Sequence, residues 1–495
     1  GRVNFDNTKI KGSINLNGAV IDDLTLEEFR ETLDPKSDLI EFLNPLGSDN
    51  AYYLDTGWVS SDSTIELPNS SSIWVADKNT IGINEPVKLT WTSDQNITFE
   101  KIITLDENYL FSVDQRVINN SGLSFDLYPY GLSKRQGIPE MQNFFILHEG
   151  PLSITDGVLE EYDYDDLKDD KKIKHSSVGG WIGMTDKYWQ TAIIPNQNEP
   201  VQQTYSYSFV DNIDNFQTDI VGERIAVSNN ASISHNFKIF AGPKIVNIID
   251  KYMEEYGFDG FDRSVDFGWF YFLTKPIFNV LEFIYGYVGN FGWSIILFTV
   301  LMRICFFPLA QQSFKSMAKM KKLAPEMQRL KEQYGDDRAG MQKEMMALYK
   351  REKANPIAGC LPILLQIPVF FALYKVLFVT IEMRHAPFIG WVHDLSAPDP
   401  LGALTLFGFV EWNVPGILQI LNVGIWPILM GISMYIQFKL NPAPVDKMQA
   451  KIFGLLPIVF TFILGGFAAG LVIYWTTNNV LSMAQQYIIQ RNIMK

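Results

Sequence analysis

Cysteine is almost missing from this chain. Cys305 and Cys360 are the only two in 495 residues, far apart and without metal-ligand spacing. No disulfide framework or thiolate metal site is expected, and both read as small packing residues. Catalytic signatures are missing as well. The sequence contains no GxSxG, P-loop, HExxH or CxxC pattern, and nothing in it calls for a cofactor. His148, His175 and His235 are scattered, with no spacing that suggests a metal or a triad. Positive charge is scarce in the first half: residues 1–263 carry 21 Lys and Arg against 42 Asp and Glu, a balance of −21. Phosphate contacts need clustered Lys and Arg, so this half argues against a nucleic-acid substrate.

The remaining 20 basic and 13 acidic residues give a balance of +7, which brings the total to −14. An acidic soluble domain therefore precedes a basic, hydrophobic membrane domain. Residues 1–250 read as β structure. Asn17-Gly18 between Ser13–Leu16 and Ala19–Leu24 is a two-residue hairpin signal. Further strand-like runs separated by Gly, Asn, Asp and Ser predict a large antiparallel sandwich. Short helices are expected around Leu26–Thr32 and at Val246–Tyr256. Asp156–Asp170 collects eight acidic residues but lacks the Gly and Glu of a calcium loop, so it reads as a solvated acidic loop. Residue 1 is Gly and the first residues are polar, so an export signal or a first span is expected ahead of this chain.

The second half is read by span and charge. Residues 265–289 place Lys275, Asn279 and Glu282 on one stripe of an otherwise apolar helix, the pattern of an interfacial helix. Residues 290–312 form a first span, apolar except for Arg303, which is expected near mid-membrane. The loop 313–356 holds eleven Lys/Arg and six Asp/Glu between Gln311 and Lys353 and reads as a helical hairpin broken at Gly335. Positive-inside logic puts it in the cytoplasm and the sandwich outside. Spans at 361–381 and 423–439 enclose an outer loop at 382–422 with few cations. A cytoplasmic loop at 440–451 follows, then a hairpin of spans at 452–466 and 469–489 and a tail at 490–495. The expected fold is thus α+β multidomain: an extracytoplasmic β-sandwich followed by a polytopic α-helical domain with five spans.

An arginine at the centre of a bilayer costs about 2.5–3.5 kcal/mol on the insertion scale. A polar cavity inside the membrane would relieve that cost. Thr299, Gln366, Gln437, Trp475, Thr476, Thr477 and Asn478 lie at depths from which they could share it, although ordinary interhelical hydrogen bonding accounts for any one of them equally well. No acidic residue lies within the spans, which weakens a proton- or cation-driven transporter.

Three segments, Asn355–Leu377 (NPIAGCLPILLQIPVFFALYKVL), Glu382–Pro400 (EMRHAPFIGWVHDLSAPDP) and Gly470–Ile489 (GLVIYWTTNNVLSMAQQYII), resemble the YidC/Oxa/Alb membrane-protein insertases, Gram-negative YidC type. The resemblance implies a sandwich similar to a sugar-mutarotase fold without its catalysis, and a helical core enclosing a hydrophilic groove open to the cytoplasm. The resemblance places Arg303, Thr299, Gln437 and Trp475 in that groove, and Gln366 and Asn478, polar residues of the spans, are expected to line it with them. It further implies a non-enzymatic insertase or chaperone of the bacterial inner membrane, its large domain in the periplasm. The partners implied are nascent membrane proteins, the ribosome, the Sec translocon with its accessory proteins, and membrane lipid. A polytopic transporter and a membrane-anchored carbohydrate-binding protein are the competing readings. The second would need paired carboxylates, or a histidine with a base, in one cleft of the sandwich.

Overall fold

The computed structural model describes residues 1–141, 147–335, 337–355, 361–441 and 447–494. Cys360, Pro442 and Pro444 lie outside them. The chain divides into two compact units, Gly1–Asp266 and Phe267–Lys495.

The first unit is built on two sheets. An eleven-stranded sheet runs from Lys172–Val178 through Pro200–Val210, Ile213–Gly222, Phe125–Gln136, Tyr52–Val59, Val20–Arg30, Ile10–Asn15 and Arg2–Asp6 to Thr80–Ile81, with two short strands branching off this path. A nine-stranded sheet has Ser232–Pro243, Leu110–Asn119 and Ile97–Leu105 at its centre. Strand Ile97–Leu105 shows why the chain folds so: Ile97, Phe99, Ile103 and Leu105 are buried at every second position, and their neighbours are half-buried. Lys101 occupies the same buried row, the one charge on that face of the strand.

Two expectations are corrected in this unit. Leu26–Thr32 is not a helix; Val20–Arg30 is a strand, with Leu24 and Leu26 fully buried and paired to Leu43 and Ile40 of Leu39–Leu43. Alternation of Leu24 and Leu26 at period two outweighs the helix propensity of the glutamates that follow. The acidic segment is not one solvated loop either. Val158–Glu161 is a strand, and Tyr164–Asp170 forms helix α1, closed by a capping box between Asp163 and Asp166. Tyr164 and Leu167, three residues apart, anchor it in the core. Helix α2, Val246–Tyr256, follows the last strand and buries Val246, Ile249 and Tyr252.

The second unit is helical: α3 (Tyr271–Val288), α4 (Phe291–Cys305), α5 (Phe307–Tyr334), α6 (Arg338–Arg351), α7 (Leu361–Val379), α8 (Ile425–Leu440), α9 (Lys447–Gly465) and α10 (Ala469–Met494). Helix α10 packs on α8, α4 and α5, while α3 lies against α4 and α7. Helix α3 buries Thr274, Ile277, Phe278 and Leu281 and leaves Phe272, Phe283 and Tyr287 exposed. Among the described residues no single helix is long and apolar enough to cross a membrane; α4 and α5 pass that test as a pair, bent by 69° at their junction. The apolar run containing Arg303 therefore does not continue as one helix to Leu309. Pro308 has no N–H to give to the carbonyl four residues back, so α4 stops at Cys305 and α5 starts afresh with the proline in its first turn.

Helices α5 and α6 fold back on each other at Gly335, whose φ of +51° suits a residue without Cβ. Met327 and Leu348 are buried, the Tyr349 hydroxyl contacts the Met327 sulfur at 3.9 Å, and Arg351 meets Glu326 at 3.1 Å. Between α7 and α8 the chain is gathered by Asp399. Its carboxylate accepts from the Trp391 indole (3.0 Å), from the Leu401 amide (3.1 Å) and from the Trp426 amide in the first turn of α8 (2.8 Å). An anion at a helix N-terminus satisfies donors that have no partner within the helix.

Candidate functional site: the Arg303 recess

Arg303 lies in the last turn of α4. Carbonyls at a helix C-terminus carry partial negative charge, so a cation there is better placed than in mid-helix. The guanidinium reaches α10, where its Nε donates to the Asn478 side-chain oxygen at 2.8 Å and one terminal nitrogen donates to the Asn478 main-chain carbonyl at 3.1 Å. Arg303 is thus hydrogen-bonded within the bundle, to a neutral partner. Among the described residues no carboxylate lies within ion-pair distance of it.

Arg303, Gln366 and Asn478 line one recess of about 410 Å³, counting the open space at its mouth, together with Tyr474 and an apolar wall that includes Phe306, Leu309 and Val369. Gln366 of α7 donates its amide N–H to the Tyr474 hydroxyl at 3.0 Å. Two hydrogen-bonded pairs, Arg303–Asn478 and Gln366–Tyr474, therefore tie α4 and α7 to α10. Tyr474 was missed in the sequence because it reads as one more aromatic in an apolar helix. Its spacing of four from Asn478, which puts both on one face, was the available signal.

The other three expected residues do not line this recess. Thr299, one turn before Arg303, is buried and returns its hydroxyl to the Ile295 carbonyl at 2.6 Å. Trp475 packs edge-on against Phe370 (4.8 Å between centroids) and beside Phe460 (5.9 Å). Gln437 donates to the Ser482 hydroxyl at 3.1 Å. That bond is one rung of a ladder: Asn479 donates to Ser433 at 2.9 Å, and Gln486 to Asn441 at 3.1 Å. Positions 433 and 437 of α8, and 441 just past its end, meet 479, 482 and 486 on α10 in the same order, so the two helices run parallel along one polar seam.

The sandwich has a recess of its own around Lys101, lined also by Asp55, Trp74, Gln115 and Tyr130. Lys101 and Asp55 are committed to each other, and Glu100, which also lines the recess, pairs with Lys88 at 3.3 Å. Lys101 donates to Asp55 at 3.2 Å and to the Ala19 carbonyl at 3.1 Å, and the Tyr130 hydroxyl donates to Asp55 at 2.9 Å. Burial, reinforced by the Asp55 charge, raises the Tyr130 phenol well above its ordinary range, so it stays a donor. No histidine lines this recess. His235 instead pairs with Glu199 at 2.9 Å beside the rings of Trp58 and Phe237; burial lowers its pKa, with Glu199 opposing the shift. The histidine–carboxylate pair thus lies outside the recess, and the carboxylates inside it are each engaged by a lysine.

Comparison with known proteins covers nearly the whole chain. The family described as 60Kd inner membrane protein matches residues 283–495, and the YidC periplasmic domain matches residues 2–280. The membrane protein insertase YidC of Pelagibacter ubique is 48% identical over 494 residues, covering 99% of this chain and 87% of that protein. That of Methylorubrum extorquens is 46% identical over 504 residues, covering 99% and 81%. A crystal structure of an active YidC insertase with its first transmembrane domain resolved aligns with a TM-score of 0.40 at 16% identity, over 97% of this chain and 90% of that one. A large β-sandwich joined to a helical inner-membrane domain defines the class, that of inner-membrane insertases, which are not enzymes. The chain belongs to the YidC family of membrane protein insertases.

Proposed function

We propose that the Arg303 recess is where the polar segment of a nascent membrane protein leaves the cytoplasm, while its apolar segment moves along the neighbouring helices into lipid. The observation that carries this reading is a guanidinium in the helical unit whose hydrogen bonds, among the described residues, go only to a neutral residue. A cation so held retains attraction for an entering polar or acidic group, and burial strengthens that attraction. Leu309, Phe306 and Val369 supply the greasy wall beside it. Transfer of the apolar segment from water to lipid supplies the driving force, with the membrane potential acting on charge.

In this reading α4, α7, α8, α9 and α10 are the five spans, α3 lies in the interface, and the α5–α6 hairpin faces the cytoplasm. The sandwich lies in the periplasm. The bend after α4 turns the chain toward the cytoplasmic side beyond Arg303. The basic hairpin is the contact for the ribosome, and the sandwich is the contact for the Sec translocon and its accessory proteins. Thr299, Gln437 and Trp475 shape the bundle around the groove, and Gln366, Tyr474 and Asn478 line it with Arg303.

The test is photo-crosslinking to a stalled, ribosome-bound membrane protein from probes at Leu309 and Gln366, with Ile432 on the exposed face of α8 as the control. Adducts at the first two sites, lost when the nascent chain is released, are expected. Equal adducts at all three would overturn the groove.

A further inference from the structure

Asn478 holds Arg303 from two directions at once, through its side-chain oxygen at 2.8 Å and its main-chain carbonyl at 3.1 Å. An arginine has five N–H donors, and Asn478 engages the one on Nε and one on a terminal nitrogen, the two that fix the plane of the guanidinium. Asn478 is itself only 8% exposed. Its side-chain oxygen is neutral and therefore a weaker ligand than a carboxylate, whose hydrogen bond to a guanidinium is charge-assisted at both ends. The arginine is thus held in one orientation by a bond weak enough to exchange.

Resting on the groove reading, we propose that Asn478 is a positioning residue that acts as the resting ligand of Arg303, displaced whenever a polar segment of the nascent chain binds. The consequence follows from linkage. A resting ligand lowers the apparent affinity of every competitor by the same factor, because each must displace the same bond. The preference for acidic over neutral segments belongs to Arg303 alone. Asn478 sets the threshold that both must exceed.

The experiment uses the full chain in nanodiscs with a photo-crosslinker at Leu309. Two ribosome-stalled segments are compared, identical except that two Asp in the polar part of one are Asn in the other. Yield is titrated against ribosome concentration. Hydrogen bonds inside membrane proteins correspond to roughly three- to twenty-fold in an equilibrium constant. Asn478→Ala is therefore expected to lower the half-saturating concentration for both segments by a common factor in that range, with their ratio unchanged. Asn478→Ser, too short to reach the guanidinium, should match it, so a loss confined to the alanine variant reports misfolding. Asn478→Asp should weaken both segments, the acidic one more, by placing a carboxylate on Arg303. A changed ratio in the Ala and Ser variants, or higher half-saturating concentrations in both, would overturn the proposal while leaving the groove intact. No adducts in the parent chain would instead overturn the groove reading itself.

Discussion

At the scale of single residues, charge placed against expectation marks both units. In the sandwich, strands Tyr52–Val59 and Val20–Arg30 share one register pair, Ile21 opposite Leu54. Beside that pair Lys101 bridges the two strands by bonding the Ala19 carbonyl and Asp55. Its side chain is 4% exposed and that of Asp55 18%. Removing one member of so buried a pair strands the other, at a cost of about 3 kcal/mol. Lys101→Met should lower the protection of amides in Ile97–Leu105 and Leu110–Asn119 by that amount in hydrogen exchange on the full chain. Adding Asp55→Asn should restore most of it; a double variant no better than the single one would show that the pair is incidental. Lys101 was visible in the sequence only as an interruption of an alternating strand. Its partner was not, because Asp55 is 46 residues away on the other sheet. Arg303 was legible because nothing else in its run is charged. Pro308 stood in the same run, and its missing N–H was enough to place the break that hydropathy alone passes over.

At the scale of elements, the seam between α8 and α10 is the feature that reading residues one at a time does not reveal. Asn479, Ser482 and Gln486 recur at spacings of three and four, as Ser433, Gln437 and Asn441 do at four. The polar cluster at the centre of α10 suggests a place for Gln437 near Arg303, and period matching between the two helices pairs it with Ser482. Each rung contributes about 0.6 kcal/mol, the average for hydrogen bonds within membrane bundles. Gln437→Leu alone should be nearly silent. Together, Ser433→Ala, Gln437→Leu and Gln486→Leu should cost about 2 kcal/mol in a detergent unfolding titration, while crosslinks from Leu309 to nascent chain persist. Loss of those crosslinks from Gln437→Leu alone would return Gln437 to the substrate path.

At the scale of the whole molecule, charge and apolar surface give a common topology. The −21 balance of residues 1–263 and the +7 of the remainder are the signature expected of an outer domain and an inner-facing membrane domain. Counting charges alone, however, treats the stretch between α7 and α8 as an ordinary aqueous loop. Glu411 is its only charge from Pro400 to Phe438. Asp399 fastens one end of this stretch to the start of α8, and Ala403 donates to the Val423 carbonyl at 2.9 Å, so its base is closed beside α8. Beyond that base Leu406, Phe409, Ile417 and Ile420 are exposed by 59%, 90%, 87% and 63%. So much exposed apolar surface, with so little charge, belongs at the lipid boundary and not in water. In a chain with Cys305→Ser and Cys360→Ser, a water-soluble maleimide added outside should label Asn120→Cys on the sandwich. It should reach Lys343→Cys on the hairpin only after permeabilisation. Phe409→Cys should resist it from either side yet react with a lipid-soluble maleimide. Labelling of Phe409→Cys from outside as readily as Asn120→Cys would return the loop to water, and labelling of Lys343→Cys from outside would invert the topology on which the insertion path depends.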